Sequence, residues 1–227
     1  AYLHGTEQLV AAREIMGQLG ISVPDSPAKR AKKIPHPNPV PQSVGAIQES
    51  PATAKPRSDW APLLSVPKDA PVAPVAHLKR GKPDQTWTYR NAQGGLAGYI
   101  CRFTTSDGGK EILPLTYCRH AGTGAQEWRW MAFPDPRPLY VPTEWRDELT
   151  KLVVEGEKCA DVAVRLLPDY VVVTWPGGSK AVDKADWSRF KEGDRVLLWP
   201  DCDAQTDKEG ALLPEPRQPG IAAMEKV

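Results

Sequence analysis

The chain has 227 residues, 41% hydrophobic and 25% charged, with a formal net charge of +1. That length supports one medium domain or two small ones with real cores, and no global charge imbalance points to a partner. No apolar run approaches the roughly 18 residues of a membrane span, so no membrane partner is expected. The start, Ala1-Tyr2-Leu3-His4-Gly5, lacks the basic and apolar regions of a signal peptide. Cys101, Cys118, Cys159 and Cys202 lie far apart with no CxxC pair. Their spacing argues against a disulfide scaffold and for a reducing, cytoplasmic setting.

Residues 1–21 place Leu9, Val10, Ile15, Met16 and Leu19 at helical spacing, and Gly20 suits a helix C-terminal cap. A helix this short is marginal alone, so it reads as the end of an upstream module. The first residue is not Met and residues 221–227 read as a helix in progress, so the expectation is a piece of a longer protein. Residues 22–83 hold 13 of the 24 prolines and carry +6, with 10 Lys or Arg against 4 Asp or Glu. This composition predicts a disordered, basic, polyproline-rich linker with no core of its own. Such a tether either holds nucleic acid by charge or is only a solvated spacer.

Residues 84–148 read as a small antiparallel β-rich module of three to five strands. Alternation at 86–90 leads into the turn Asn91-Ala92-Gln93-Gly94-Gly95, and 96–104 follows as a second strand. Ser106-Asp107-Gly108-Gly109 is a hairpin turn that pairs 110–115 back onto it. Trp128, Trp130 and Phe133 continue the alternation before a proline-rich close at 134–138. Within the module Arg90, Arg102, Arg119, Arg129 and Arg137 interleave with Trp87, Tyr89, Trp128 and Trp130. Aromatics stack on unpaired bases and arginines hold a backbone, so Arg90, Arg102, Arg129 and Trp128 are candidates for single-stranded nucleic acid. Trp87 and Trp130 are expected to be core, because so small a module needs them.

Residues 149–227 change to the order β-α-β-(α)-β-α, the pattern of a parallel sheet with crossover helices. Strands are expected at 152–154, 170–175 and 195–199, helices at 158–167 and from 220, and a short helix at 187–191. The first strand ends in Glu155-Gly156-Glu157 and the third in Asp201-Cys202-Asp203. Strand C-terminal ends gather along one edge of such a sheet, where ligands bind. Asp201 and Asp203, two apart in extended chain, face one side together, with Cys202 pointing into the sheet. Glu155, Asp201 and Asp203 converging there would repel one another without a cation. A hard divalent ion, Mg²⁺ or Mn²⁺, resolves this and suits phosphoryl transfer. Solvated loop acids are the plainer explanation for either cluster alone. Cys101, Cys118 and His120 have the wrong spacing for zinc.

The run Val153-Val154-Glu155-Gly156-Glu157-Lys158, through Trp175-Pro176-Gly177-Gly178, to Trp199-Pro200-Asp201-Cys202-Asp203 resembles a Toprim domain. Its wording resembles the primases and primase-helicases of phages, plasmids and other mobile elements. The resemblance implies a Rossmann-like parallel sheet, C-terminally incomplete, over 149–227, with 84–148 as a primase-associated β module. It implies that 1–21 ends a zinc-binding domain, so that zinc belongs only upstream of this sequence. Overall the expected class is α+β and multidomain. Cys159 stands where replicative primases often carry a further Asp, and Asp161 would point elsewhere on the helix.

The resemblance implies a Mg²⁺-dependent DNA primase joining ribonucleoside triphosphates on a single-stranded DNA template in DNA replication, with a helicase in cis or in trans, inside a bacterial host. Glu155, Asp201 and Asp203 would be catalytic and metal-binding, with Glu157 and Asp207 candidates for a second ion. Lys158, Gly177, Gly178 and Lys180 would contact phosphates. Residues 177–180 are not a P-loop, because the GxxxxGK[ST] spacing is not met. Two other readings stay open: a Toprim-type nuclease on the same metal site, and a non-catalytic module that binds single-stranded nucleic acid.

Overall fold

A computed structural model describes residues 59–227. The expected helix within 1–21 and the first part of the linker lie outside the described residues. The alternation at the start of the β module is realised as strand β2, Gln85–Arg90, which buries Trp87 and Tyr89 and exposes the residues between them. It pairs antiparallel with β3, Leu96–Thr104, which pairs with β4, Lys110–His120. The hairpin turn closes as expected: Thr105 N–H donates to Gly109 O at 3.0 Å, and Gly108 takes φ +80°. Strand β5, Gln126–Arg129, returns along β4.

A fifth strand comes from the stretch read as linker. Trp60–Pro62 is β1 and pairs antiparallel with 118–120 of β4. The sheet order is β1-β4-β3-β2, with β5 on β4. Residues 59–83 therefore do not form a coreless tether. Leu64 packs on the core, the Trp128 indole N–H donates to Pro71 O at 2.7 Å, and Arg80 pairs with Glu111. Proline excludes helix but tolerates an edge strand and an extended strap, and that is how this segment uses it.

The second sheet is parallel. Strands β6 (Thr150–Val154), β7 (Tyr170–Val173) and β8 (Val196–Trp199) have the order β7-β6-β8. Helix α1, Glu157–Leu166, makes the first crossover. Short 3₁₀ turns at Ser179–Lys184 and Trp187–Arg189 lead to β8, and α2, Pro219–Met224, closes the described chain. Central β6 buries Leu152, Val153 and Val154, while all four side chains of the outer strand β8 are exposed.

The two sheets share one core. Trp87, Tyr89, Ala97, Ile100, Phe133 and Tyr140 pack with Leu152, Val154, Ala160 and Val172. Burying each large aliphatic among these contributes about 1.5–3 kcal/mol. A second cluster on the other face of the parallel sheet joins Val153, Val171, Val173 and Trp175 to Ala223 and Met224 of α2. All described residues belong to one compact unit, so a boundary at 148/149 separates two sheets but not two cores. Trp87 is buried as expected; Trp130 is half-buried against Phe103 and His77.

Candidate active site

Glu155 follows directly on β6, and Asp201 and Asp203 follow β8, its hydrogen-bonded neighbour. Parallel pairing in register, Val154 against Trp199, brings the two acidic segments to one sheet edge. The Asp201 N–H donates to Glu155 Oε1 at 3.4 Å. The chain then turns tightly, with Asp203 N–H donating to Asp201 O at 3.0 Å. This is an i to i+2 turn and not extended strand. It leaves Cys202 exposed, which corrects the expectation that this thiol points into the sheet.

Glycine sets the closeness of the acids. Gly220 N–H donates to Asp203 Oδ2 at 2.8 Å. A Cβ at Gly220 would stand 2.6 Å from Asp201 O and 2.8 Å from Glu155 Oε1. The loop from 204 to 217 is clasped by buried Gln218, whose amide bonds Gln205 at both its N–H and its carbonyl, and Leu213 O. Behind Glu155, Gly156 takes φ +78° and its N–H donates to the buried Thr174 hydroxyl at 2.9 Å.

Burial holds the Glu155 carboxyl above the ordinary range; the Asp201 N–H opposes this, while Asp201 and Asp203 repel it further upward. Asp201 is also raised, by burial and then by Asp203, against the pull of Lys110. Burial, then Asp201 and Glu155, raise the thiol of Cys159 on the same wall.

The acids open on a cleft of about 640 Å³ whose opposite wall is the antiparallel sheet. The β3–β4 register explains which residues line it. Ile100 pairs with Pro114 and Arg102 with Ile112, so all four share one face. Lys110 stands two residues before Ile112 and lines the cleft with them. Pro114 is tolerated because β1 and β5 pair with β4 only from Thr116 onward, leaving β3 as the sole strand neighbour at 110–115 among the described residues. Lys158, Gly177, Gly178, Ser179 and Arg137 complete the cationic and glycine-rich rim.

The structure divides the predicted site residues. Glu155, Glu157, Lys158, Gly177, Gly178, Asp201, Asp203 and Arg102 share the cleft. Glu157 is engaged elsewhere: its Oε1 accepts from Tyr89 OH at 2.7 Å, and its charged neighbours are Asp161 and Lys110. Lys180 is exposed and does not line the cleft, and Asp207 spends its carboxylate on the N–H groups of Glu209 and Ala211. Arg90 lines two other hollows and donates to Gly94 O. Trp128 and Arg129 also lie off the cleft. The indole is packed between Tyr99 and Tyr117 with its N–H bound, and the guanidinium sits 4.4 Å over Trp60, paired with Glu127. Both side chains thus make contacts within the antiparallel sheet, to β1, β3, β4 and β5. Lys110, Ile112 and Gly220 were missed. The hairpin register would have found the first two; nothing in the sequence marks the third.

Among the described residues no three His, Cys, Asp or Glu side chains form a ready metal cage. Mg²⁺ does not require one. It takes one or two carboxylates, keeps waters and adds substrate phosphates. Glu155, Asp201 and Asp203 offer hard oxygen donors at one sheet edge, the donor type that ion takes. No protein-family model matches this chain, and no curated protein matches it. Among the described residues no helix is long and apolar enough to cross a membrane.

Proposed function

We propose that this protein is a Mg²⁺-dependent DNA primase of the Toprim type, making RNA primers on single-stranded DNA. The observation that carries the reading is one cleft with two unlike walls. Glu155, Asp201 and Asp203 stand at neighbouring parallel strand ends, and Arg102, Lys110, Ile112 and Pro114 face them from the antiparallel sheet. Glu155, Asp201 and Asp203 would hold the ion, which when bound offsets nucleotide phosphate charge. Arg102 and Lys110 hold the anionic backbone of the strand being copied, while the Ile112–Pro114 surface offers an apolar bed for bases. Lys158, exposed at the start of α1, adds a cation beside Glu155. Catalysis is then positioning and charge neutralisation rather than covalent chemistry.

The test is primer synthesis on single-stranded DNA with labelled ribonucleoside triphosphates and Mg²⁺. The expected result is short RNA, abolished in the Asp201→Asn/Asp203→Asn double variant. Absence of product overturns the reading. Mg²⁺-dependent cutting of the template in its place identifies a nuclease on the same acids, and DNA binding indifferent to Mg²⁺ identifies a binding module.

A further inference from the structure

Arg137 is the most constrained cation of the cleft. Its backbone is bonded into the parallel-sheet side, with Arg137 N–H donating to Lys184 O and Asp186 N–H donating to Arg137 O, each at 2.7 Å. Its side chain is only 17% exposed. Nε donates to Asp135 Oδ1 at 2.9 Å, and among the described residues the guanidinium makes no other hydrogen bond. The terminal nitrogens are not sealed, since among the described residues Thr143 Oγ1 is the one buried side-chain polar atom without a partner. Arg137 lines the cleft that Glu155, Asp201 and Asp203 also line.

The glycine turn is shaped around this side chain. Gly177 takes φ +103°, and a Cβ there would lie 2.9 Å from Arg137 Nη1 and 2.9 Å from Ala181 Cβ. A side chain at 177 would force the turn, Ala181 or the guanidinium to shift, on a backbone conformation that favours glycine. A planar fork held by one carboxylate, with its remaining donors unpaired on a residue that lines an open cleft, can take two oxygens of one phosphate.

We propose that Arg137 binds the polyphosphate of the incoming nucleoside triphosphate, with Asp135 and Gly177 as the residues that position it. This names a substrate contact within the primase reading and rests on it. The polyphosphate, rather than the template backbone, is the partner because Arg137 belongs to the wall that carries the acids and the Gly177–Gly178 turn. The template-facing cations, Arg102 and Lys110, are on the other wall.

The experiment is calorimetric titration of the protein with inorganic tripolyphosphate in Mg²⁺, and separately with a single-stranded oligonucleotide. The expected result is at least tenfold weaker tripolyphosphate binding in Arg137→Ala, partial recovery in Arg137→Lys, and an intermediate loss in Asp135→Asn. Oligonucleotide binding should stay within twofold of the unaltered protein. In primer synthesis Arg137→Lys should raise KM for nucleotide more than it lowers kcat, which a merely structural role would not do. Should Arg137→Ala fail to fold, Arg137→Lys and Asp135→Asn decide alone. Unchanged tripolyphosphate binding, or a loss confined to the oligonucleotide, overturns the assignment. A protein that makes no primers, yet loses tripolyphosphate in these variants, sinks the primase reading and keeps Arg137 only as a polyphosphate-binding residue. Primer synthesis with an unchanged nucleotide KM in Arg137→Lys does the reverse.

Discussion

The Trp87 indole N–H donates to the Asp161 carboxylate at 2.7 Å and ties the antiparallel sheet to helix α1. Tyr140 OH donates to the other oxygen of Asp161, also at 2.7 Å. Glu157, one turn earlier on the same helix face, accepts from Tyr89 OH. The first two turns of α1 therefore present carboxylates to aromatic donors of the β module, and that seam fixes the two cleft walls against each other.

Removing Asp161 should be felt as stability. Asp161→Ala leaves an indole N–H and a phenol O–H without their acceptor, at a cost of about 2–4 kcal/mol for two donors on buried side chains. Urea unfolding should show the loss, and Asp161→Asn should recover part of it. Affinity for Mg²⁺ at 25 °C should not change, since Asp161 is not on the acid edge. A variant as stable as the parent would mean that the seam is held by packing alone.

Mg²⁺ should stabilise the protein through the acid edge. Glu155 and Asp201 are held above ordinary carboxylate values by burial and then by neighbouring carboxylates, Asp201 and Asp203 for Glu155 and Asp203 for Asp201, so a cation there relieves a cost already present in the folded state. Thermal melting at neutral pH should move upward with millimolar Mg²⁺. The Asp201→Asn/Asp203→Asn double variant should melt no lower than the parent without Mg²⁺ and should lose the Mg²⁺ response. A response that survives in the double variant would place the ion elsewhere.

The sequence exposes this edge because strand ends are legible from local pattern. Val153-Val154 before Glu155 and Leu198-Trp199 before Asp201 are short apolar runs that end in acids, and register does the rest. Strand β1 was not legible, because Trp60–Pro62 contains a proline and pairs with a partner nearly 60 positions away, between Pro62 and Cys118. Nor was the fate of Trp128 and Arg129. Their composition suits nucleic acid, but tertiary neighbours, Tyr99, Tyr117 and Trp60, take up both side chains. Gly220 reads as the opening of a helix; its closeness to Glu155 depends on how the long loop from 204 folds back, which no local pattern encodes.

Gly220 should tolerate no side chain. In Gly220→Ala the new methyl meets the Asp201 carbonyl and the Glu155 carboxylate at contact distances real Cβ atoms do not show, so α2 or the acid loop must shift. Overpacking of this kind costs about 1–3 kcal/mol. The variant should also lose the Mg²⁺-dependent rise in melting temperature, because Asp203 is held by the Gly220 N–H. Measuring melting with and without Mg²⁺ separates the two effects. An unshifted Mg²⁺ response would show that the loop position does not set the ion site.

The opposite end of β6 offers a prediction in pH. Lys151 is fully buried; its ammonium donates to Asp147 O at 2.6 Å and to Asp194 Oδ1 at 3.1 Å, and lies 5.6 Å from the Trp145 ring centre. The Lys191 N–H first, and Lys151 second, hold the Asp194 carboxyl below its ordinary value. A lowered carboxyl binds fewer protons in the folded state, so its contribution is full above the unfolded value, about 4, and is lost as pH falls through the lowered one. Asp194→Asn should therefore flatten the acid limb of the stability curve. It should also lower stability at neutral pH, because the buried Lys151 side chain loses its carboxylate partner. Urea midpoints measured from pH 2 to pH 8 check both. Parallel curves for parent and variant, offset by a constant, would show that Asp194 is not depressed; coincident curves would show that Asp147 O and the Trp145 ring suffice to hold the buried ammonium.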